Sequence, residues 1–263
     1  MLKLNYKKLL IKKNKIPITC LTAYSKPIAN ILDGKVDLIL VGDSLGTTLY
    51  GMQNTRGVTI EMMKNHGKAV ALNTKYSMTI IDMPYNTYRN KSEALKNAID
   101  ILAFTKADFI KIETDKKNIN IVEHLTKNKI KVVSHIGVTP QKFSNFSKIK
   151  SVGKNIKDAN SLLNLAKKLE GAGSKMIVLE CISLDTSKKI TNSLSIPTIG
   201  IGSSKYCDGQ VLVIDDILKL NSHNKNPKFV KNYINIEKNI DRAVKRFAKE
   251  VINKNFPSKK YSY

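Results

Sequence analysis

Short runs of apolar residues alternate along the chain with longer stretches in which apolar and polar residues recur at helical spacing. The short runs are rich in Ile, Val and Leu and do not alternate strictly with polar residues, as expected of parallel strands covered on both faces. The runs that predict strands are residues 17–23, 38–42, 78–82, 109–113, 131–135, 176–180, 197–202 and 211–215.

The longer stretches predict α-helices with one apolar side. In one of them Leu162, Leu165 and Leu169 recur at helical spacing, and the glycines that follow end the pattern. The polar segment that begins at Lys219 is predicted to be a loop, serving as a lid or as a contact between subunits. The predicted helices are residues 59–74, 92–105 with Ser92 at the start, 159–171 and 236–252.

Strands that alternate with helices over 263 residues have the size and rhythm of an α/β fold of the (β/α)8, or TIM, barrel type. A doubly wound open sheet would show the same alternation, because periodicity along the chain does not reveal whether a sheet closes. The sequence has no internal repeat, low-complexity linker or break in composition. We therefore expect one domain that spans residues 1–263.

The chain is strongly basic, with 45 Lys and Arg against 21 Asp and Glu and a formal net charge of +24. Such an excess points first to a polyanion such as nucleic acid, whose phosphates basic side chains neutralise. Only four of the basic residues are arginines, however, and arginine is the side chain that forks onto phosphates and guanine edges. Because the lysines are also spread along the chain, we interpret them as a solvated surface and expect no nucleic-acid partner.

The sequence carries no signal for a membrane or for export. No apolar stretch reaches the roughly 18 residues that span a bilayer, and the basic N-terminal segment is not followed by an apolar block and a cleavage site. We therefore expect a cytoplasmic protein without membrane contact. Cys20, Cys181 and Cys207 form no Cys-x-x-Cys pair, so neither a disulfide framework nor a zinc site is expected.

Four of the scarce acidic residues stand at the predicted carboxyl ends of strands. Asp43, Asp82, Glu113 and Glu180 follow or end the second, third, fourth and sixth strands. In a parallel barrel these ends meet at one mouth, where such folds place their chemistry. Asp43, Asp82 and Glu113 would offer three hard oxygen ligands, a set that suits Mg²⁺ and does not suit zinc. The alternative is that each carboxylate caps a helix or pairs with a lysine.

Three side chains at these ends have both a chemical and a structural interpretation. Lys111 lies two residues before Glu113, on the same side of the strand, where it holds an anionic substrate group or balances the carboxylates. His135 contacts a substrate or is an ordinary buried histidine, and Glu180 is a general base or a hydrogen-bonded glutamate. A metal, a carboxylate base and a lysine together are typical of enolate chemistry on a 2-oxo acid.

These residues lie in motifs that resemble those of the ketopantoate hydroxymethyltransferase family. The motifs keep the family's order and extend over nearly the whole chain. In this sequence they are Thr22-Ala-Tyr24, VGDSLG at 41–46, Gly51, Val58-Thr59, DMPY at 82–85, KIE at 111–113, HIGVTPQ at 135–141, VLEC at 178–181, PTIGIG at 197–202, DGQVLV at 208–213 and PKFVKNY at 227–233.

The resemblance implies a fold, an assembly and a reaction. The fold is a (β/α)8 barrel of the phosphoenolpyruvate/pyruvate type, and the assembly is a homo-oligomer, often a homodecamer. The reaction moves a hydroxymethyl group from the co-substrate 5,10-methylenetetrahydrofolate to 3-methyl-2-oxobutanoate. It gives 2-dehydropantoate and tetrahydrofolate in the biosynthesis of pantothenate and coenzyme A.

The resemblance also implies a metal site and a substrate pocket. Asp43, Asp82 and Glu113 correspond to the family's Mg²⁺ site. Ser44, together with Asp43, Asp82 and Lys111, corresponds to the pocket for the oxo acid.

The remaining site residues implied by the resemblance act on the proton and on the substrate. Glu180 matches the proton acceptor, which takes the C3 proton so that the enolate attacks the one-carbon unit. His135 matches a pocket histidine that contacts substrate or product. None of the departures from the family's pattern falls on the metal or base positions. The departures include Ser25, Ser134, Ser203, Ser204 and Asp215.

Two other functions fit parts of the pattern. A lyase or mutase of the phosphoenolpyruvate/pyruvate barrel group uses the same Mg²⁺ and 2-oxo-acid chemistry. Such enzymes carry a catalytic loop with Cys or Asn between strands four and five, where this chain has the short TDKKNINIVEHLTKNK. A lysine-rich polyanion-binding protein, a function of a different class, would use the excess of positive charge.

Overall fold

The strands follow one another around a closed barrel in a computed structural model that describes residues 3–144, 150–220 and 227–263. These strands are β1 (Ile18–Thr22), β2 (Leu38–Val41), β3 (Met78–Asp82), β4 (Phe109–Glu113), β5 (Val132–Gly137), β6 (Met176–Glu180), β7 (Thr198–Ile201) and β8 (Gly209–Leu212). Each strand pairs in parallel with the next, and β8 pairs with β1. The closed sheet confirms the predicted (β/α)8 barrel and excludes the open doubly wound sheet.

Helices lie between most of the strands, and several of them begin at residues whose side chains cap the helix. In the described part of the chain they are α1 (Tyr6–Lys12), α2 (Lys26–Leu32), α3 (Leu45–Thr48), α4 (Ile60–Ala71), α5 (Lys91–Thr105), α6 (Ile119–Lys127), α7 (Ile156–Gly171), α8 (Leu184–Ser193), α9 (Ile214–Leu218) and α10 (Ile236–Ile252). Thr59 caps α4 by accepting the Met62 N–H at 3.2 Å, and Asn155 caps α7 by accepting the Asp158 N–H at 2.8 Å. Such caps satisfy N–H groups that have no partner within the helix.

Several predicted boundaries differ from those of the structure. Helix α7 begins at Ile156 and not at residue 159, α4 ends at Ala71 and not at residue 74, and β5 continues to Gly137 and not to residue 135. Helix α5 begins one residue before Ser92, because the side chain of Asn90 accepts the Glu93 N–H at 2.9 Å and caps it. The strand predicted over residues 211–215 lies instead at Gly209–Leu212, and α9 follows it. A Cβ at Gly209 would lie 2.4 Å from the Ile18 carbonyl oxygen, so only glycine allows β8 to approach β1 there.

Inward side chains fill the barrel in layers. These layers are apolar in the middle of the barrel and polar at the carboxyl ends of the strands. On β4 the inward positions pass from Phe109, in the apolar core, to Lys111 and Glu113 two and four residues later. On β6 they pass from Val178, also in the core, to Glu180. Because strand side chains alternate between faces, these polar groups lie directly above the packed core.

The N-terminal segment packs beneath the amino end of the barrel. Leu9 of α1 is fully buried in the barrel core, and the Tyr6 hydroxyl donates to the Lys175 carbonyl at 2.8 Å. Just after α1, Lys13 Nζ lies 2.8 Å from Asp208 Oδ2, with side chains only 7% and 1% exposed. Helix α1 therefore covers the end of the barrel opposite the polar layer.

The chain divides into two compact units, Met1–Val213 and Ile214–Tyr263. The first contains the barrel strands, and the second contains α9 and α10. The loop predicted from Lys219 includes residues 221–226, which lie outside the described residues. That residues 1–263 form one domain stays a prediction, as does the cytoplasmic location. No helix in the described ranges is both long and apolar enough to cross a membrane.

Candidate active site

The predicted site residues meet at the carboxyl end of the barrel. Pairing between strands sets Asp82 opposite Lys111 and Glu113 opposite His135. The carrying elements are β2, which Asp43 and Ser44 follow, β3 for Asp82, β4 for Lys111 and Glu113, β5 for His135 and β6 for Glu180. Strands distant in sequence thus bring one lysine, one histidine and four carboxylates to a single mouth.

Lys111 is the positive charge of this cluster. Its Nζ lies 2.8 Å from Asp82 Oδ1, and the two side chains are only 8% and 3% exposed. Burial alone would lower the pKa of the Lys111 ammonium, but the carboxylates of Asp82, Asp43 and Glu113 outweigh burial and raise it. Lys111 therefore stays charged at any pH at which the protein works.

The carboxylates lie close together, and the single positive charge of Lys111 does not neutralise all of them. Burial, reinforced by the charge of Asp82, raises the pKa of Asp43 to about 7. Burial and the charge of Asp43 likewise raise the pKa of Glu113 well above its usual range. The Asp43 N–H donates to Asp82 Oδ2 at 3.1 Å, which ties the ends of β2 and β3 together. The cluster is thus short of positive charge.

Ser44 stands at the start of α3, held against the acidic cluster. Its Oγ lies 2.8 Å from the hydroxyl of Tyr24, which is buried. A Cβ at Gly42 would lie 2.9 Å from Ser44 Oγ and 3.6 Å from Asp82 Oδ2. The glycine of the Gly-Asp-Ser sequence therefore leaves the space in which Ser44 turns back towards Asp82.

His135 and Glu180 face each other across β5 and β6. His135 Nε2 lies 3.2 Å from Glu180 Oε2, and its Nδ1 lies 3.9 Å from Glu113 Oε1. Both ring nitrogens are buried, and neither makes a well-formed hydrogen bond within the described residues. Burial, together with the charge of Lys111, lowers the pKa of His135. The imidazole is therefore neutral near pH 7, and its two ring nitrogens lie beside the carboxylates of Glu113 and Glu180.

The backbone around Glu180 fixes where its carboxylate stands. Its carbonyl accepts the Val138 N–H at 2.9 Å, and Cys181 after it has a left-handed backbone with a φ of 50°. Gly137, on β5, has a φ of 101°, and a Cβ there would lie 2.2 Å from the Glu180 carbonyl oxygen. Such an approach of two backbones is open only to glycine. The Glu180 side chain is 14% exposed, so it reaches the mouth.

The carboxylates suit a divalent cation in chemistry. Asp43, Asp82 and Glu113 are buried hard oxygen donors, the kind of ligand that Mg²⁺ takes. Asp82 Oδ1 is a buried oxygen without a hydrogen-bond partner in the described ranges, with only the Lys111 ion pair beside it. No group of three His, Cys, Asp or Glu side chains in those ranges has the spacing of a ready metal site. The three carboxylates are therefore of the right chemical kind to bind Mg²⁺, and each is held by its own contacts with the protein.

Sequence reasoning missed Gln141 and Tyr24 as parts of this site. Gln141 is buried and its side-chain Nε2 donates to Asp43 Oδ2 at 2.8 Å. Tyr24 supports Ser44, as described above. Both lie within motifs that carry the family resemblance, and membership of those motifs was the only signal that marked them.

Two of the serines that depart from the family pattern make ordinary structural contacts. Ser134 Oγ lies 2.7 Å from Ser174 Oγ, with both residues buried. Ser203 Oγ donates to the Ile182 carbonyl at 3.0 Å. These hydroxyls are satisfied by the protein away from the carboxylate cluster.

Sequence comparison connects the chain with one family over nearly its full length. The profile of ketopantoate hydroxymethyltransferase matches residues 3–259. A Pelagibacter ubique protein named 3-methyl-2-oxobutanoate hydroxymethyltransferase is 51% identical over 252 residues, which cover 96% of each chain. Proteins of the same name from Helicobacter pylori and Rhizobium etli are 42% and 41% identical. These two matches cover 96% and 94% of this chain, and 93% and 90% of the relatives.

Solved structures show the same barrel at low sequence identity. A 2,3-dimethylmalate lyase of the phosphoenolpyruvate mutase/isocitrate lyase superfamily aligns with a TM-score of 0.61 at 10% identity, covering 98% of this chain and 91% of that one. A phosphonopyruvate hydrolase in complex with oxalate and Mg²⁺ aligns with a TM-score of 0.61 at 11% identity, covering 99% and 93%. At this identity the likeness concerns the fold alone.

Proposed function

The chain belongs to the ketopantoate hydroxymethyltransferase family and is a transferase, and we therefore propose that it acts on 3-methyl-2-oxobutanoate with 5,10-methylenetetrahydrofolate as donor. The methylene carbon and a water molecule together provide the hydroxymethyl group, and the products are 2-dehydropantoate and tetrahydrofolate. This reaction belongs to pantothenate and coenzyme A biosynthesis. The observation that carries the proposal is the meeting of Lys111, the buried carboxylates and Glu180 at one barrel mouth.

We propose that Asp43, Asp82 and Glu113 hold Mg²⁺. Their burial and their mutual repulsion support this, because both raise the pKa values of Asp43 and Glu113 and a bound cation would offset both. When bound, the cation supplies charge that stabilises the enolate form of the oxo acid.

Lys111 and Ser44 are suited to hold the oxo acid. A charged lysine attracts the carboxylate of the substrate, and the buried setting strengthens that attraction relative to water. The Tyr24 contact holds the Ser44 hydroxyl near Asp82, so it meets the substrate without first losing rotational freedom. These two side chains orient the substrate, and neither takes the proton.

Glu180 is the group that we propose as the general base. Its carboxylate takes the proton from C3, and the electrons of the C–H bond form the enolate of the oxo acid. Water releases the methylene carbon from the two folate nitrogens as formaldehyde, which breaks both C–N bonds and leaves tetrahydrofolate. C3 of the enolate then attacks the formaldehyde carbon, and the C=O π electrons move to its oxygen, which takes up a proton to become the new hydroxyl. His135, neutral and next to Glu180, is suited to contact the substrate there without adding a positive charge beside the base.

Deuterium exchange at C3 of 3-methyl-2-oxobutanoate tests this assignment. In D₂O with Mg²⁺ and without folate, the wild type should exchange the C3 proton, as followed by NMR. Glu180→Gln should reduce the rate by about 100-fold or more, because a positioned base contributes that much. Addition of EDTA should also stop exchange.

A matched control separates the base from a general loss of charge. Glu61 lies on α4 with its side chain 71% exposed, and Glu61→Gln should exchange like the wild type. Wild-type exchange in a folded Glu180→Gln would remove Glu180 as the base. A folded, Mg²⁺-supplied wild type that gives neither exchange nor 2-dehydropantoate would refute the proposed reaction.

We also propose that the protein is a homo-oligomer, with a second copy of this chain covering α10. Within its own unit α10 has no buried residue, and Ile240, Val244 and Phe247 are 49%, 58% and 56% exposed along one stripe. Apolar stripes of this kind mark contact surfaces. Phe247→Glu should lower the mass measured by light scattering after size exclusion, whereas Lys249→Glu on the polar side should leave it unchanged. A monomeric wild type would contradict the proposal.

A further inference from the structure

Gln141 connects two carboxylates of the acidic cluster that come from different strands. It lies in the short turn Pro140–Lys142 after β5 and is 3% exposed. Its main-chain N–H lies 3.2 Å from both carboxylate oxygens of Glu113. Its side-chain Nε2 donates to Asp43 Oδ2 at 2.8 Å. One residue thus spans the ends of β2 and β4.

The surroundings of Gln141 leave its amide only one orientation. Nε2 lies 3.0 Å from the Met83 carbonyl oxygen, which can only accept a hydrogen bond, so the nitrogen must point there. On the other side the Tyr88 hydroxyl donates to Gln141 Oε1. Both amide hydrogens and the amide oxygen are therefore engaged, and Tyr88 prevents the amide from flipping.

A neutral donor suits this position better than a cation would. Lys111 already contributes a positive charge, through Asp82. A second fixed cation would compete with a metal ion for the same carboxylates, whereas an amide orients a carboxylate and leaves its charge in place. The amide donates to Asp43 Oδ2 and does not occupy the lone pairs of Asp43 Oδ1.

We propose that Gln141 is a positioning residue that holds Asp43 and Glu113 for a divalent cation, with Tyr88 fixing its amide. This inference rests on the proposed function, since it needs a cation at the acidic cluster. Gln141 touches the carboxylates and takes no part in proton transfer. Partners of metal-binding carboxylates commonly change metal affinity by about 10- to 100-fold when removed.

Mn²⁺ binding to the full chain, measured by electron paramagnetic resonance after EDTA treatment and dialysis, tests the inference without any turnover. Gln141→Met keeps the side-chain volume and removes the three hydrogen bonds of the amide, to Asp43, to the Met83 carbonyl and from Tyr88. It should weaken Mn²⁺ binding by about 10- to 100-fold. Tyr88→Phe removes one hydroxyl and should weaken binding by a smaller factor in the same direction. Gln210→Met is the control, because the Gln210 amide donates to the Ser204 carbonyl and contacts none of the carboxylates of the acidic cluster in the described residues, and it should bind Mn²⁺ like the wild type.

The outcomes distinguish this inference from the proposed function. A folded wild type that binds no Mn²⁺ overturns both. A wild type that binds Mn²⁺, with Gln141→Met binding equally well, overturns the inference alone. If circular dichroism shows that Gln141→Met does not fold, Tyr88→Phe decides: weakened binding supports the role of Gln141, and wild-type affinity overturns it.

Discussion

A methyl group added at Gly137 should both destabilise the barrel and displace Glu180, the proposed general base. The φ of 101° at Gly137 is strained for any side chain, and a Cβ there would lie 2.2 Å from the Glu180 carbonyl oxygen. The same Cβ would lie 2.7 Å from Ile182 Cγ1. Because the nearest atom belongs to the backbone, Gly137→Ala forces the end of β6 to move.

The size of the effect follows from two additive terms. The left-handed backbone costs an L-residue about 1–2 kcal/mol. Overpacking that shifts a backbone costs about 1–3 kcal/mol. Gly137→Ala should therefore lower the free energy of unfolding by about 2–5 kcal/mol.

Two other glycines separate these terms. Gly51 has a φ of 65° and nothing within 4 Å of a built Cβ, so Gly51→Ala should cost only the backbone term, about 1–2 kcal/mol. Gly171 ends α7, has no positive φ, and also has nothing within 4 Å. Gly171→Ala should be neutral or stabilise by up to about 1 kcal/mol, because alanine loses less backbone entropy in a helix.

The assay is urea unfolding of the three variants and the wild type at one protein concentration, followed by circular dichroism. Deuterium exchange at C3 of 3-methyl-2-oxobutanoate, measured below the unfolding transition, should fall only in Gly137→Ala. If Gly137→Ala unfolds at the same urea concentration as Gly51→Ala and exchanges like the wild type, the steric account of Glu180 placement is refuted.

Two further predictions concern buried charges. Lys13→Met should lower the free energy of unfolding in urea by about 3–5 kcal/mol, because Asp208 would be left buried without its ion pair. Lys245→Met, which breaks an exposed ion pair, should change it little. Equal urea midpoints for the two variants would contradict this prediction. In EDTA, the pKa of Asp43 near 7 means that the folded chain binds a proton that the unfolded chain releases from about pH 4 upwards. The bound proton stabilises the folded wild type at low pH, and this stabilisation is lost as pH rises through about 7. Asp43→Asn lacks this titration, so the urea midpoint of Asp43→Asn minus that of the wild type should increase from pH 5 to pH 8. A pH-independent difference would show that Asp43 is not crowded.

The barrel and its acidic mouth could be predicted because both depend on local pattern. Apolar runs bounded by polar residues located β3, β4 and β6 to the residue, and their last inward positions are Asp82, Glu113 and Glu180. Once parallel strands are assumed, their carboxyl ends must meet, so the neighbourhood of these side chains follows from chain order alone.

The remaining features depend on contacts between residues far apart in sequence. Gln141 reaches Asp43 across 98 positions, and Lys13 reaches Asp208 across 195. Helix α1 is short, and its burial comes from the barrel core and not from its own pattern. The start of β8 also depends on a distant residue, because the contact with Ile18 requires glycine at position 209. The sequence pattern therefore predicts this strand at the wrong residues.

The way α1 and the apolar layers close the amino end of the barrel bears on the kinetics of the proposed reaction. Every ligand that reaches Glu180 must arrive and depart through the same mouth. In the proposed reaction the oxo acid, whose C3 would have to meet Glu180 above the core, would lie deeper in the mouth than the folate. Under that proposal we expect the oxo acid to bind before the folate, and tetrahydrofolate to leave before 2-dehydropantoate. Such an order would follow from the closed amino end of the barrel, which lies furthest from the proposed chemistry.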